Sequence, residues 1–328
     1  MAMPAVSTSA GREPHPPGPA AGREPHHLDA PPARRPGLCR FAVVTAVLTL
    51  VLIQVGAMVT STGSGLAYPD WPMANGSWWP PEMREWCAGF LEHGHRTIGA
   101  FIGLLFLVLA VWTMAAERRA WVRWYSVGLL ALVCLQGVIG GKGVQWGLPV
   151  WTSALHGILA QTLLCLLTVF AFVTSRAFAL RVALPAATVR TARALAATAV
   201  AAIFVQLVLG AIVRHADVRG VLWLHVTVAM VVTLLILGAA LFSGVRLREV
   251  PGLRGTTRWL LVVLVLQLVL GFATLAVRGG GKATASVEQV GRALIVTGHV
   301  VVGAAMFLLA TLLCARLFRN VVPAPAAR

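Results

Sequence analysis

Four histidines lie near the start of alternate apolar segments of this chain. They are His95, His156, His225 and His299. Each precedes an arginine of the next polar connection by 20–23 residues, which is roughly 30 Å of helix at about 1.5 Å per residue. All four imidazoles are therefore expected at one depth in a membrane, where ionisable groups are costly and mark functional sites by default.

Two imidazoles that point into one helix bundle can bind a haem iron from its two faces. Zinc and copper sites usually have more than two protein ligands, and the five cysteines are not close to these histidines. The spacing predicts two bis-histidine haem sites, one formed by His95 and His156, the other by His225 and His299. Glycines near the histidines would give a porphyrin room or serve close helix packing: Gly94, Gly99, Gly157, Gly298 and Gly303.

One carboxylate distinguishes the first histidine pair from the second. Glu92 precedes His95 by three residues and shares its helix face, whereas apolar residues precede His225. A long loop, residues 61–92, also precedes the first pair and contains GSGLAYPDWP. This asymmetry predicts a catalytic site with Glu92 in the first half and a structural or electron-relay site in the second. Alternatively, Glu92 is a solvated acid favoured by the helix dipole.

The composition is that of a membrane protein. Apolar residues make up 58% and charged residues 12% of the 328 positions, which is too apolar for a soluble domain. Eight segments are each long enough to cross a hydrocarbon core of about 30 Å as a helix. They lie near residues 41–60, 96–116, 122–143, 152–175, 192–213, 221–244, 257–277 and 293–315. The predicted fold is an all-α integral membrane protein with eight transmembrane helices.

The net charge of +16 is distributed as a topology signal. With the amino terminus in the cytoplasm, 19 of the 27 Lys and Arg residues fall on the cytoplasmic side, as the positive-inside rule requires. Both termini are therefore expected in the cytoplasm, and the basic charge is not expected to bind nucleic acid. The first 38 residues lack the apolar core of a signal peptide and are expected to be disordered.

A repeat divides the membrane region into two halves. Glutamine followed by small residues recurs in the odd-numbered segments, as QLVLG from Gln206 and Gln267, QGVIG from Gln136 and, more loosely, QVGAM from Gln54. Together with the alternate histidines, this predicts two four-helix bundles related by duplication. The predicted parts are a tail (1–40), an N-terminal bundle (41–175), a cytoplasmic linker (176–191), a C-terminal bundle (192–316) and a cytoplasmic tail (317–328).

Six fragments, in order along residues 41–316, resemble the haem A synthase family. They read TSTGSGLAYPDWP, EHGHRTIG, LQGVIGG, GLPVWTSALHG, LWLH and VTGHVVVG. The resemblance implies an oxidoreductase that converts the C8 methyl group of haem O to the formyl group of haem A. The depth of the histidines and the positive-inside bias predict haem sites toward the outer face, and the Ala-, Arg- and Gly-rich composition favours a bacterial plasma membrane. The resemblance also implies haem O synthase as supplier, the terminal oxidase assembly machinery as recipient, and an electron donor that the sequence does not identify.

The same resemblance assigns roles to single residues. His95 and His156 would hold the substrate haem O, His225 and His299 would ligate a haem b cofactor, and Glu92 would be the carboxylate beside the substrate. A fixed carboxylate there would stabilise positive charge or accept a proton at the porphyrin edge. The histidines alone fit equally well a dihaem membrane electron-transfer protein without haem-modifying activity, or a haem carrier. Glu92 and the long first loop favour the synthase.

The first loop also departs from the family pattern. Many bacterial proteins that resemble this family have a cysteine pair there, whereas this chain has only Cys87. A disulfide between outer-loop cysteines is therefore excluded within the chain, and Cys87 is expected to be a free thiol or to act alone. Beside Glu92, His93 is expected at the membrane interface. Arg96 is expected to meet a haem propionate or lipid phosphate, or to extend to the interface.

Overall fold

The computed structural model describes residues 36–81, 88–216, 218–278 and 287–325. In these ranges the chain forms eight long helices. Their bounds are α1 Pro36–Ser61, α2 Ala88–Ala116, α3 Ala120–Gln145, α4 Val150–Thr174, α5 Ala186–Ala216, α6 Arg219–Arg246, α7 Leu253–Val277 and α8 Val287–Asn320. All eight are long and apolar enough to cross a membrane. The eight predicted helices are therefore confirmed, and the chain is a multi-pass membrane protein.

The helices extend beyond the apolar segments that predicted them. The first begins at Pro36, inside the stretch predicted as a tail, of which residues 1–35 lie outside the described part. The second begins at Ala88 rather than near residue 96, so Glu92 is inside the helix. Backbone hydrogen bonds continue into the polar interface, whereas an apolar-run criterion stops at the first charge. Proline suits the first turn of a helix because its missing N–H has no helical partner there.

The helices pack in two rings of four. Helices α1 to α4 contact each other in sequence and α4 returns to α1, and α5 to α8 repeat this arrangement. Each ring has its own apolar core, centred on residues such as Phe106 and Phe170 in the first and Ile236 and Leu260 in the second. Helices α4 and α8 carry most of the contact between the rings. An origin by duplication and the side on which the termini lie stay predictions.

Two short strands modify the all-α prediction. Strand β1, Val182–Leu184, lies in the predicted linker and pairs in parallel with β2, Val321–Pro323, which follows α8. The Arg193 guanidinium donates to three carbonyls near the end of α8, and the Asn320 amide donates to two carbonyls of the linker. The linker and the carboxyl-terminal segment therefore form one hydrogen-bonded structure. Helix α8 accordingly continues to Asn320 rather than ending near residue 316.

A buried carboxylate fixes the connection between α2 and α3. Glu117 is 6% exposed and accepts hydrogen bonds from the backbone N–H groups of Arg118 and Arg119 and from the Arg119 guanidinium. Burial disfavours the charged carboxylate, but these donors outweigh it and lower the pKa of Glu117. Arg119 also donates to the carbonyl of Val173, at the end of α4.

We expect Glu117→Ala to lower the free energy of unfolding by about 1–3 kcal/mol, because it leaves buried donors without an acceptor. Since the pKa of Glu117 is lowered in the folded state, this stability is present above the ordinary glutamate pKa and is lost as the pH falls through the lower folded-state value. Thermal unfolding in detergent across acidic pH measures it. The matched control is Glu249→Ala, because Glu249 pairs with Arg248 in solvent, with both side chains mostly exposed. Equal effects of the two substitutions would contradict the argument.

Candidate functional site: two paired histidine sites

The structure brings the four predicted histidines together in the predicted pairs. The ring centroids of His95 and His156 are 6.4 Å apart, and the ring planes are inclined by 80°. His225 and His299 have the same separation of 6.4 Å and the same angle of 80°. In each pair one histidine comes from the second helix of a ring and the other from the fourth.

Each histidine pair fits a cofactor that contains a metal ion and provides most of the ligands to that ion. Two imidazoles bound to opposite sides of one ion, with bonds of about 2 Å, have centroids roughly 6.3 Å apart. The Nδ1 atoms of all four histidines are buried without a hydrogen-bond partner among the described residues. Within those residues, no group of three or more His, Cys, Asp or Glu could hold a metal ion. The residues present therefore fit a haem, whose porphyrin provides the remaining ligands.

Each histidine is seated on a glycine of the preceding helix. A Cβ atom at Gly56 or Gly140 would lie 2.8 Å from Cε1 of His95 or His156. The corresponding distances from Gly210 to His225 and from Gly271 to His299 are 3.1 and 3.2 Å. A larger residue at these positions would push the imidazole away. The glycines are the small residues of the Q-containing fragments, whose contact with the histidines the sequence did not reveal.

The glycines beside the histidines behave differently. A Cβ at Gly94, Gly99, Gly103 or Gly157 would have nothing within 4 Å. The predicted close helix packing is therefore not seen at Gly94, Gly99 or Gly157, and the faces beside His95 and His156 are open. Gly298 and Gly303 instead lie against Leu270 and Gln267 side chains.

Three of the four repeated glutamines hold the histidine helices. The Gln136 amide donates to the carbonyl of His156 at 2.8 Å, and the Gln206 amide donates to that of His225 at 2.9 Å. The amide of Gln267 lies 3.4 Å from Nε2 of His299. The fourth, Gln54, instead donates across the two rings to Thr297 at 2.9 Å.

Glu92 is buried and paired. It is 3% exposed, forms an ion pair with Arg96 one turn later, and accepts a hydrogen bond from the backbone N–H of Tyr68 at 3.0 Å. The reading of Glu92 as a solvated acid is therefore wrong. Arg96 also donates to the carbonyls of Tyr68, Asp70 and Met73. The largely buried guanidinium therefore holds the first loop rather than extending to the interface, and its expected contact with a haem propionate or lipid phosphate stays a prediction.

His93 is also buried beneath the first loop. Its side chain is 4% exposed, its Nε2 lies 2.9 Å from the carbonyl oxygen of Trp78, and its ring contacts Tyr68 and Trp79 edge-on. The expectation of an interfacial His93 is therefore wrong, because the loop folds over this face of α2. Cys87 lies outside the described residues, so the prediction for its thiol stays open.

Aromatic side chains fasten the first loop to α2 and α3. Tyr68 packs on Gly89, and Trp71 packs directly on Gly141, the residue after the glycine that seats His156. The sequence contained the signal for this contact, since two adjacent glycines in α3 allow two rings to approach its backbone.

A tight turn shapes the tip of the same loop. Asn75 and Gly76 have φ angles of 50° and 72°, which suits an Asn-Gly hairpin turn. Asp70 closes it by accepting hydrogen bonds from both of their N–H groups. The hydrogen bond from the Gly76 N–H, together with that from the Asn75 N–H, lowers the pKa of Asp70. The carboxylate that shapes the turn is therefore favoured in its charged form.

Comparison with known proteins supports one family. A sequence model of the COX15-CtaA family, described as cytochrome oxidase assembly protein, matches residues 39–221. A heme A synthase of Geobacillus kaustophilus is 31% identical over 147 residues, which cover 42% of this chain and 44% of the relative. The heme A synthase of Rhizorhabdus wittichii is 30% identical over 215 residues, covering 56% and 61%. That of Sphingopyxis alaskensis is 33% identical over 211 residues, covering 55% and 59%.

These alignments span about half the length of the relatives, and the family match lies mainly in the first ring, where Glu92 and its loop are found. The paired histidines, the buried carboxylate and the match over residues 39–221 agree with one another. The chain belongs to the COX15-CtaA family of cytochrome oxidase assembly proteins, the haem A synthase family.

Proposed function

We propose that this protein is a haem A synthase, an oxidoreductase that converts the C8 methyl group of haem O to the formyl group of haem A. The observation that carries the proposal is the pairing of His95 with His156 beneath a loop that Glu92 and Arg96 fasten. The conversion replaces two hydrogens of a methyl group with one oxygen, so the site must hold the porphyrin edge still while protons and charge leave it.

In this proposal the two pairs have different occupants. His95 and His156 hold the iron of the substrate haem O, and the open faces beside Gly94 and Gly157 leave room for its ring. His225 and His299 ligate a haem b, which supplies one-electron redox chemistry when bound. The equal spacing of the two histidine pairs supports a haem in each ring.

Glu92 is the proposed catalytic carboxylate. Two donors, the Tyr68 N–H and the Arg96 guanidinium, fix its orientation without help from the substrate. A carboxylate fixed in a dry site stabilises developing positive charge without reorganising during the reaction. The second ring has no acid at the corresponding place, because Leu222 is three residues before His225.

Family membership and the positive-inside charge bias support a cellular setting for this function. We propose a bacterial plasma membrane location with both termini in the cytoplasm, two rings related by duplication, and haem sites toward the outer face. Haem O synthase would supply the substrate, the terminal oxidase assembly machinery would receive the product, and a separate electron donor or acceptor would complete the redox balance.

The second candidate function is a dihaem electron-transfer protein. The identical geometry of the two pairs favours it, because an electron carrier needs two similar low-spin sites and no reactive edge. The clamped loop over the first pair favours the synthase, since an electron carrier does not need a buried carboxylate beside one haem only.

Pigment analysis separates the two functions. We expect the native chain, expressed in cells that make haem O but no haem A, to yield haem A on extraction and chromatography. Glu92→Gln keeps an acceptor for the Tyr68 N–H but removes the charge, so we expect conversion to fall at least about a hundredfold, in the range of a lost electrostatic contact in an active site. Bound haem should remain in this variant.

A control variant and two possible outcomes decide whether the lost conversion is specific to Glu92. Asp70→Asn perturbs the same loop without touching Glu92 and should retain most conversion. Haem b in a stable low-spin form without any haem A in the native chain would favour the electron carrier. Full conversion by Glu92→Gln would remove Glu92 from the catalytic role.

Glycine substitutions test the haem sites themselves. We expect Gly140→Ala to reduce the haem bound in the first ring, because the new Cβ would lie 2.8 Å from the His156 ring. The pyridine haemochrome content of purified protein measures this. Gly137→Ala is the matched control, since it adds the same methyl group to the same helix where nothing lies within 4 Å. Equal haem content in both variants would show that His156 does not need this seat.

A further inference from the structure

The outer part of α1 lies between the two histidine pairs. Gly56 seats the ring of His95 on one side. The Gln54 amide donates to Thr297 at 2.9 Å, and Thr297, which is fully buried, is two residues before His299. One turn of α1 therefore contacts the first pair directly and reaches the second through α8.

This contact explains why the fragment from Gln54 is the irregular member of the repeat. In α3, α5 and α7 the glutamine precedes the seating glycine by four residues, about one helical turn, so both face the histidine. In α1 it precedes Gly56 by two residues, or about 200° around the helix. The amide of Gln54 consequently faces the other ring instead of the histidine helix.

Arg214 joins the same turn of α1 from α5. Its guanidinium donates to the carbonyl of Ala57 at 2.7 Å and to the hydroxyl of Ser61 at 2.9 Å. The sulfur of Met58, the residue after Ala57, accepts the Thr297 hydroxyl at 3.6 Å. Arg214 and Thr297 thus contact α1 on adjacent residues, and Thr297 is two residues before His299 in α8.

The charge of Arg214 is not neutralised by an acid in the described structure. The ion pairs among the described residues join Arg96, Arg119 and Arg248 to their carboxylates, and Arg214 makes its hydrogen bonds to a carbonyl and a hydroxyl. A positive charge in a partly dehydrated site acts over several ångströms with little screening.

We propose that Arg214 is a positioning residue that couples the two haem sites. It ties α1 beside the first pair and sets a permanent positive charge beside the second, where it raises the reduction potential of the haem. Ferric haem carries one more positive charge than ferrous haem, so a nearby cation favours the reduced form. This inference rests on the proposed binding of haem b by His225 and His299.

Redox titration of the purified protein, followed at the haem b absorbance band, tests the coupling. For Arg214→Gln we expect the equilibrium constant for haem b reduction to fall about tenfold, which is about 59 mV for a one-electron couple. Arg214→Lys keeps the charge and should stay within about twofold of the native value, or about 18 mV. The matched control is Arg219→Gln, which removes an exposed arginine at the start of α6, directly after the short connection from α5, and should also change the equilibrium constant for haem b reduction less than twofold.

A second variant tests the charge while keeping the guanidinium in place. Ser61→Asp sets a carboxylate beside Arg214, so the tie to α1 persists and the field of the cation is reduced. We expect the reduction equilibrium to shift in the same direction as in Arg214→Gln, and this variant decides the matter if Arg214→Gln does not retain haem. Haem b with a bis-histidine spectrum and an unchanged potential in both variants would overturn the inference. A native chain without haem b would instead refute the proposed function.

Discussion

The contact between an imidazole ring and a glycine backbone is the constraint on which this structure depends. A histidine inside a membrane is costly unless a ligand or a partner satisfies it, and here the ring position is set before any ligand arrives, by a neighbouring helix that has no side chain at that point. Four such contacts set the distance between the two imidazoles of each histidine pair, and this distance suits one metal ion between them. The odd-numbered helices thus carry the glycines against which the imidazoles pack, and the even-numbered helices carry the histidines.

The loop between α1 and α2 distinguishes the two four-helix rings, which are otherwise similar. Arg96 fastens this loop to α2, because its guanidinium binds the buried carboxylate of Glu92 and three loop carbonyls at once. The fold of the loop therefore depends on a charged pair inside α2. The corresponding connection of the second ring, between α5 and α6, is short.

The sequence predicted the helices and the histidine pairs because both depend on periodic, local signals. Apolar runs of membrane length define helices without reference to tertiary structure, and histidines at equal distances from polar connections must share a depth. The positions of His93 and Arg96 were not predictable in this way, because both depend on how the loop folds back onto α2. The glycine seats were visible as a repeat, but only the packing of neighbouring helices shows which side chain each glycine receives.

The pairing of β1 with β2 has a consequence for how the chain is made. A ribosome finishes Val182–Leu184 long before it reaches Val321–Pro323, the strand with which Val182–Leu184 pairs. The first strand must wait, unpaired, while four more helices enter the membrane. The two strands therefore pair only after α8, the last helix, has packed beside α5. Formation of this small sheet requires a fully inserted chain.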